Sequence, residues 1–85
     1  MIIRKYSQGE IIINEGEYGT EAYFIKSGKV SVLKGDVKVA TLNENKLFGE
    51  IGALELRPRT ATVVATTPLT LQVLTQEETR EMTGN

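Results

Sequence analysis

Apolar and polar residues alternate along most of this chain, and turns bearing glycine or proline interrupt the alternation at roughly 8–12-residue intervals. A period of two places successive side chains on opposite faces of a strand. Runs this short cannot supply the crossover helices that a parallel sheet needs. Strand candidates are Arg4 to Ser7, Glu10 to Asn14 (with the β-branched Ile11, Ile12 and Ile13), Ala22 to Lys26, Lys29 to Leu33 and Val37 to Leu42. Two more follow, Arg59 to Thr66 and Leu69 to Leu74, separated by a turn at Thr67-Pro68. Ser27-Gly28 and Lys34-Gly35-Asp36 are tight turns, Glu15 to Thr20 is a loop with two glycines, and Asn43 to Lys46 is a polar loop. Thr75 with Glu78 three residues on has capping-box spacing, so a helix from Gln76 to Met82 is expected, stopped by Gly84. The expected fold is mainly β: a small antiparallel roll with a C-terminal helix.

Eighty-five residues make one domain with one core, which buries only about two thirds of the unfolded surface. Cysteine and histidine are both absent, which removes disulfides, thiolate nucleophiles, Cys- or His-ligated metals and the commonest general base near neutral pH. Any catalysis would rest on carboxylates, Lys, Tyr or Ser/Thr, and nothing pairs such groups, so no enzyme is expected. Glu15 and Glu17 lack a third spaced ligand and make no metal site. A net charge of −1 with both signs interspersed gives no basic stripe for nucleic acid. There is neither a membrane-length apolar run nor a signal-peptide core at Met1 to Lys5, and the expected location is the cytoplasm.

One stretch, Phe48 to Val63, carries chemistry. Gly49 and Gly52 flank Glu50, a helix-compatible run follows, and Pro58-Arg59-Thr60 leads into a strand. Glycines let backbone approach a ligand, and the start of a short helix leaves N–H groups free for an anion. Arg59 supplies a planar fork matched to phosphate oxygens, and Glu50 accepts hydrogen bonds from a hydroxyl. These groups together can hold one phosphate beside one sugar hydroxyl. Arg57 reads as a solvated loop charge. Tyr23, Phe24, Ile25 and Phe48 read as core or pocket wall, and Lys26, Lys29, Lys34 and Lys38 as cover for an exposed face.

Nearly the whole chain resembles the cyclic nucleotide-binding domain family, the eight-stranded roll of catabolite-activator-type regulators, cyclic-nucleotide-dependent kinases and gated channels. The resemblance is carried by Gly9-Glu10, Gly16, Gly19, Tyr23, Ile25, Gly28 and Val30. It is carried more specifically by the phosphate-binding cassette, Phe48-Gly49-Glu50-Ile51-Gly52 and then Pro58-Arg59-Thr60-Ala61-Thr62-Val63. Thr20 departs from it, standing where many members have an acidic residue. The resemblance implies a roll or jelly roll of about eight strands with a short cassette helix. It also implies a ligand site of Gly49, Glu50, Ile51, Gly52, Arg59, Thr60 and Ala61, and cAMP or cGMP as ligand, with no separate cofactor or metal. Arg59 would pair with the cyclic phosphate, Glu50 would take the ribose 2′-hydroxyl with the Gly49 carbonyl nearby, and backbone N–H groups around Gly52 and Thr60 would cap phosphate oxygens. In the family, Thr at position 60 is often associated with cGMP through the guanine amino group; the other reading is a strand hydroxyl that completes the phosphate shell.

The domain is expected to span residues 1–85 without the long lid helix or effector domain of regulatory members, with any effector supplied in trans. An open base pocket, modest affinity and weak purine discrimination would follow. Two other readings compete with a nucleotide sensor. One is an interaction or structural roll that has lost binding, against which the intact Gly49, Glu50 and Arg59 stand. The other is a cupin-like metalloenzyme, against which the lack of histidine stands.

Overall fold

The computed structural model describes residues 1–84; Asn85, the last position of the expected domain, lies outside them. In chain order the elements are β1 (Ile2–Tyr6), β2 (Ile11–Ile13), β3 (Ala22–Ser27), β4 (Val30–Lys34), β5 (Val37–Leu42), β6 (Leu47–Phe48), α1 (Glu50–Glu55), β7 (Thr62–Ala65), β8 (Leu69–Leu74) and α2 (Gln76–Thr83). They form two four-stranded sheets, ordered β1-β8-β3-β6 and β2-β7-β4-β5, with every pairing antiparallel. This is the expected β-roll with a cassette helix and a C-terminal helix.

The alternation in the sequence is the alternation of burial on the central strands. Along β8, Leu69, Leu71 and Val73 are buried while Thr70 and Gln72 lie between them half-buried. They meet Ile13, Val63 and Ala65 of the second sheet, with Ile25 and Val30 fully buried in the same cluster. A fully buried Leu or Ile contributes about 1.5–3 kcal/mol, so this layer holds the sheets together without disulfides. A smaller cluster of Ala22, Ala53 and Leu74 seats α1 against the end of the first sheet. Gln76 at the start of α2 donates to the Ala53 carbonyl at 2.7 Å, tying the two helices.

The capping box forms as the spacing predicts: Glu78 N–H donates to Thr75 Oγ1 at 3.1 Å and Thr75 N–H to Glu78 Oε1 at 3.0 Å. Gly84 caps the far end in the left-handed region. Three differences from the sequence pattern have physical causes. β1 begins at Ile2, because its register runs from Ile2 opposite Val73 to Tyr6 opposite Leu69. β7 starts only at Thr62, because Arg59 turns inward before the strand. β6 goes unseen because two residues, Leu47 opposite Phe24 and Phe48 opposite Tyr23, are too few to show a period. β5 is a strand as expected, but it lies at a sheet edge, and Val37 and Val39 are exposed despite their alternation. Among the described residues no helix is long and apolar enough to cross a membrane.

Candidate functional site

β6 delivers the chain to Gly49, which takes a left-handed conformation (φ 81°) that a side chain would strain. α1 starts there with no side-chain cap and ends after Glu55, where Leu56 is also left-handed (φ 52°). Arg57 and Pro58 are exposed, and Arg57 pairs with Glu55 at the surface (3.0 Å), as a solvated charge does. Arg59 then turns in, and only 8% of it is exposed. A buried guanidinium requires partners. Nη1 donates to the Gly49 carbonyl at 2.6 Å and Nη2 to the Glu21 carbonyl at 2.7 Å. The Arg59 backbone is anchored as well, its N–H donating to the Glu17 carbonyl (2.8 Å) and its carbonyl accepting from Gly16 N–H (2.7 Å). The β2–β3 loop and the cassette are thereby joined across the site.

Three glycines make room for this side chain. A Cβ on Gly19 would lie 2.7 Å from Arg59 Nη2, one on Gly52 would lie 3.0 Å from Nη1, and one on Gly49 would lie 3.3 Å from Nη1. Gly19 reads in the sequence as a loop glycine; its backbone is ordinary, and space is what it provides. The guanidinium has five N–H donors, and among the described residues these two carbonyls take one each.

All seven expected site residues line one cavity of about 320 Å³, together with Ile13, Arg57, Pro58 and Val63. Glu50 stands half-buried at the first position of α1, and among the described residues its carboxylate has no hydrogen bond or ion pair. Thr60 is exposed at the rim. The Gly49 carbonyl, expected beside the sugar, already accepts twice, from Arg59 Nη1 (2.6 Å) and from the Ala53 N–H of α1 (3.2 Å). On the other side of Arg59 lies a second cavity of about 280 Å³, reached from Asn14, Tyr18, Thr20 and Tyr23. Ile13 and Arg59 are common to both. Glu15, considered as a metal ligand, instead accepts from Gly35 N–H through its Oε1 (3.0 Å).

Sequence reasoning missed Glu21, Arg4 and the polar side of Tyr23. Arg4 forks onto the Glu21 carboxylate at 3.2 and 3.4 Å, and the Tyr23 hydroxyl donates to Glu21 Oε1 at 3.0 Å. The Arg4 hydrogen bonds hold the Glu21 carboxyl below its usual range. Burial, then the bond to Glu21, pushes the Tyr23 phenol up to about 12. Arg4 is held more firmly charged by its bonds to Tyr6 and Glu21. The strand pattern carries no signal for this group, because its members are brought together only by pairing of distant strands.

A family model described as "Cyclic nucleotide-binding domain" matches residues 3–85. The chain is 47% identical over 64 residues to a cGMP-dependent protein kinase of Eimeria tenella, covering 75% of this chain and 6% of that protein. It is 31% identical over 81 residues to a cAMP-dependent protein kinase regulatory subunit of Hypocrea atroviridis, covering 95% of this chain and 18% of that protein. The chain thus spans less than a fifth of either relative. The solved structure of cAMP-bound PfPKA-R superposes with a TM-score of 0.90 at 29% identity, over 98% of this chain and 29% of that one.

Proposed function

The chain belongs to the cyclic nucleotide-binding domain family, and on that premise we propose that it is a sensing module for a cyclic mononucleotide, cAMP or cGMP, rather than an enzyme. The observation that carries the reading is the placement on the wall of one cavity of a buried, carbonyl-anchored Arg59 and of Glu50, whose carboxylate has no partner among the described residues. The free donors of Arg59 take the singly charged cyclic phosphate, each charge-assisted bond contributing about 1.5–3 kcal/mol. The backbone around Gly52, Thr60 and Ala61 completes the phosphate shell, with Ile51 on the neighbouring wall. Glu50 accepts the ribose 2′-hydroxyl and so selects ribose over deoxyribose. The two named kinase relatives, one cGMP-dependent and one cAMP-dependent, support the ligand class. Thr60 stands exposed at the rim, where its hydroxyl either completes the phosphate shell or reaches a guanine amino group and so favours cGMP. An effector, in the same polypeptide or in trans, reads the bound state.

Calorimetric titration tests the reading. Wild type is expected to bind cAMP or cGMP and to bind the 2′-deoxy analogue roughly tenfold or more weakly. Glu50→Ala is expected to abolish that preference. A wild-type chain with no heat of binding and no thermal shift with either nucleotide refutes the proposal.

A further inference from the structure

The two carbonyls that hold Arg59 are connected to each other by side chains outside the ligand cavity. Glu21 gives its carbonyl to Arg59 and turns its carboxylate toward β1 and Tyr23. The Tyr23 ring stacks on Phe48 with centroids 5.3 Å apart, and Phe48 directly precedes Gly49, whose carbonyl is the other Arg59 acceptor. The path from Arg59 through Glu21, Tyr23, Phe48 and Gly49 therefore closes on itself. Arg4 grips it from the edge strand, with its two terminal nitrogens, Nη1 and Nη2, on the two oxygens of Glu21.

We propose that Arg4 is a positioning residue for ligand binding: its forked grip on the Glu21 carboxylate sets the Glu21 peptide, and through that carbonyl sets where the Arg59 guanidinium meets the phosphate. The proposal rests on the cyclic-nucleotide reading of the Arg59 cavity. Two features give the clamp something to do. In the loop before Glu21 every residue from Asn14 to Thr20 except Gly19 is exposed, so the loop buries little apolar surface of its own. A bidentate Arg–carboxylate contact fixes orientation as well as distance, which a single point charge does not. Arg4 lines neither cavity that Arg59 borders, so it touches no ligand there. The pair is also about two-fifths exposed, with side-chain exposures of 42% and 41%. Such pairs add little to global stability, so affinity and stability effects are separable.

The test combines calorimetry with NMR of the Arg59 Nε–H signal, using wild type, Arg4→Met, Arg4→Lys, Glu21→Gln, the Arg4→Met/Glu21→Gln double variant and Arg59→Lys. Arg4→Met is expected to weaken cAMP and cGMP binding roughly three- to tenfold. Arg4→Lys, which keeps the charge and loses the fork, should recover part of that loss. The double variant should bind no worse than the weaker single variant, because both changes break one path. The Arg59 Nε–H resonance should move in Arg4→Met, while the melting temperature changes by less than about 4 °C. If Arg4→Met binds within about twofold of wild type, or the two single effects add, the positioning role is wrong. If that happens while Arg59→Lys still loses binding, the functional reading stands alone. If wild type binds neither nucleotide, both fall.

Discussion

The β4–β5 hairpin and the segment from Leu47 to Val63 are organised in opposite ways. In the hairpin backbone pairing sets the shape: β4 pairs β5 from Val30 opposite Leu42 to Lys34 opposite Val37 around a turn at Gly35 (φ 58°), and β4 also pairs β7 from Val30 opposite Ala65 to Leu33 opposite Thr62. Little of β5 is buried. In the cassette one side chain sets the backbone, because Arg59 bonds to Gly49 ten residues away and to Glu21 thirty-eight away. The hairpin tolerates change because strand pairing, not side-chain detail, defines it. The cassette has one geometry because a buried cation must have its acceptors within reach.

Substitutions can break that contrast. Arg59→Lys should do most damage: the ammonium cannot reproduce the fork, so cAMP or cGMP affinity should fall roughly a hundredfold or more by calorimetry. Unmade bonds at Gly49 and Glu21 should also cost about 1–3 kcal/mol in urea unfolding. Next come two glycines of one loop. Gly19→Ala puts a methyl group against Arg59 Nη2 and should weaken binding roughly tenfold, since the flexible guanidinium must shift. Gly16→Ala faces open space at φ 88°, so it should cost about 1–2 kcal/mol of stability and leave affinity unchanged. Equal effects of the two on affinity would show that the crowding at Gly19 is unimportant.

Smaller effects are expected away from the site. Thr75→Ala removes the cap of α2 and should cost about 1 kcal/mol in thermal unfolding without changing affinity. Glu21 and Glu78 both titrate below their usual range in the fold, Glu21 chiefly through Arg4 and Glu78 through the Thr75 N–H. A depressed folded pKa gives stability that is present above the unfolded carboxylate value, about 4.3, and lost as pH falls through the folded value. Urea midpoints measured from pH 6 down to pH 3 should fall less steeply in Arg4→Met. Val39→Thr, on the exposed edge strand, should stay within about 0.5 kcal/mol of wild type. A large loss there would mean that the hairpin is less permissive than its exposure implies.

The same contrast explains what could be read from the sequence. β3, β4, β5 and β8 announce themselves by alternation and turn residues, and α2 by Thr75 and Glu78, because those signals lie between neighbours in sequence even where a strand's partner is distant. Glu50 and Arg59 stand out because few other arrangements use a carboxylate between glycines followed by Pro-Arg-Thr. The β6 strand, the spatial role of Gly19 and the Arg4–Glu21–Tyr23 group depend on which distant segments meet. Arg4 reaches Glu21 only because β8 lies between β1 and β3, an order that no local pattern encodes.

That strand order also has a consequence in time. β1 and β3 are joined by β8, and β2 and β4 by β7, so neither sheet has its centre until residues near the end of the domain exist. During synthesis the first strands wait, with Ile2 and Ile3 unpaired, until Leu69 to Leu74 leaves the ribosome. Closing such distant pairs is slow, on the order of milliseconds to seconds for rolls and sandwiches of this kind. Truncation anywhere before Leu74 should therefore leave no folded remnant.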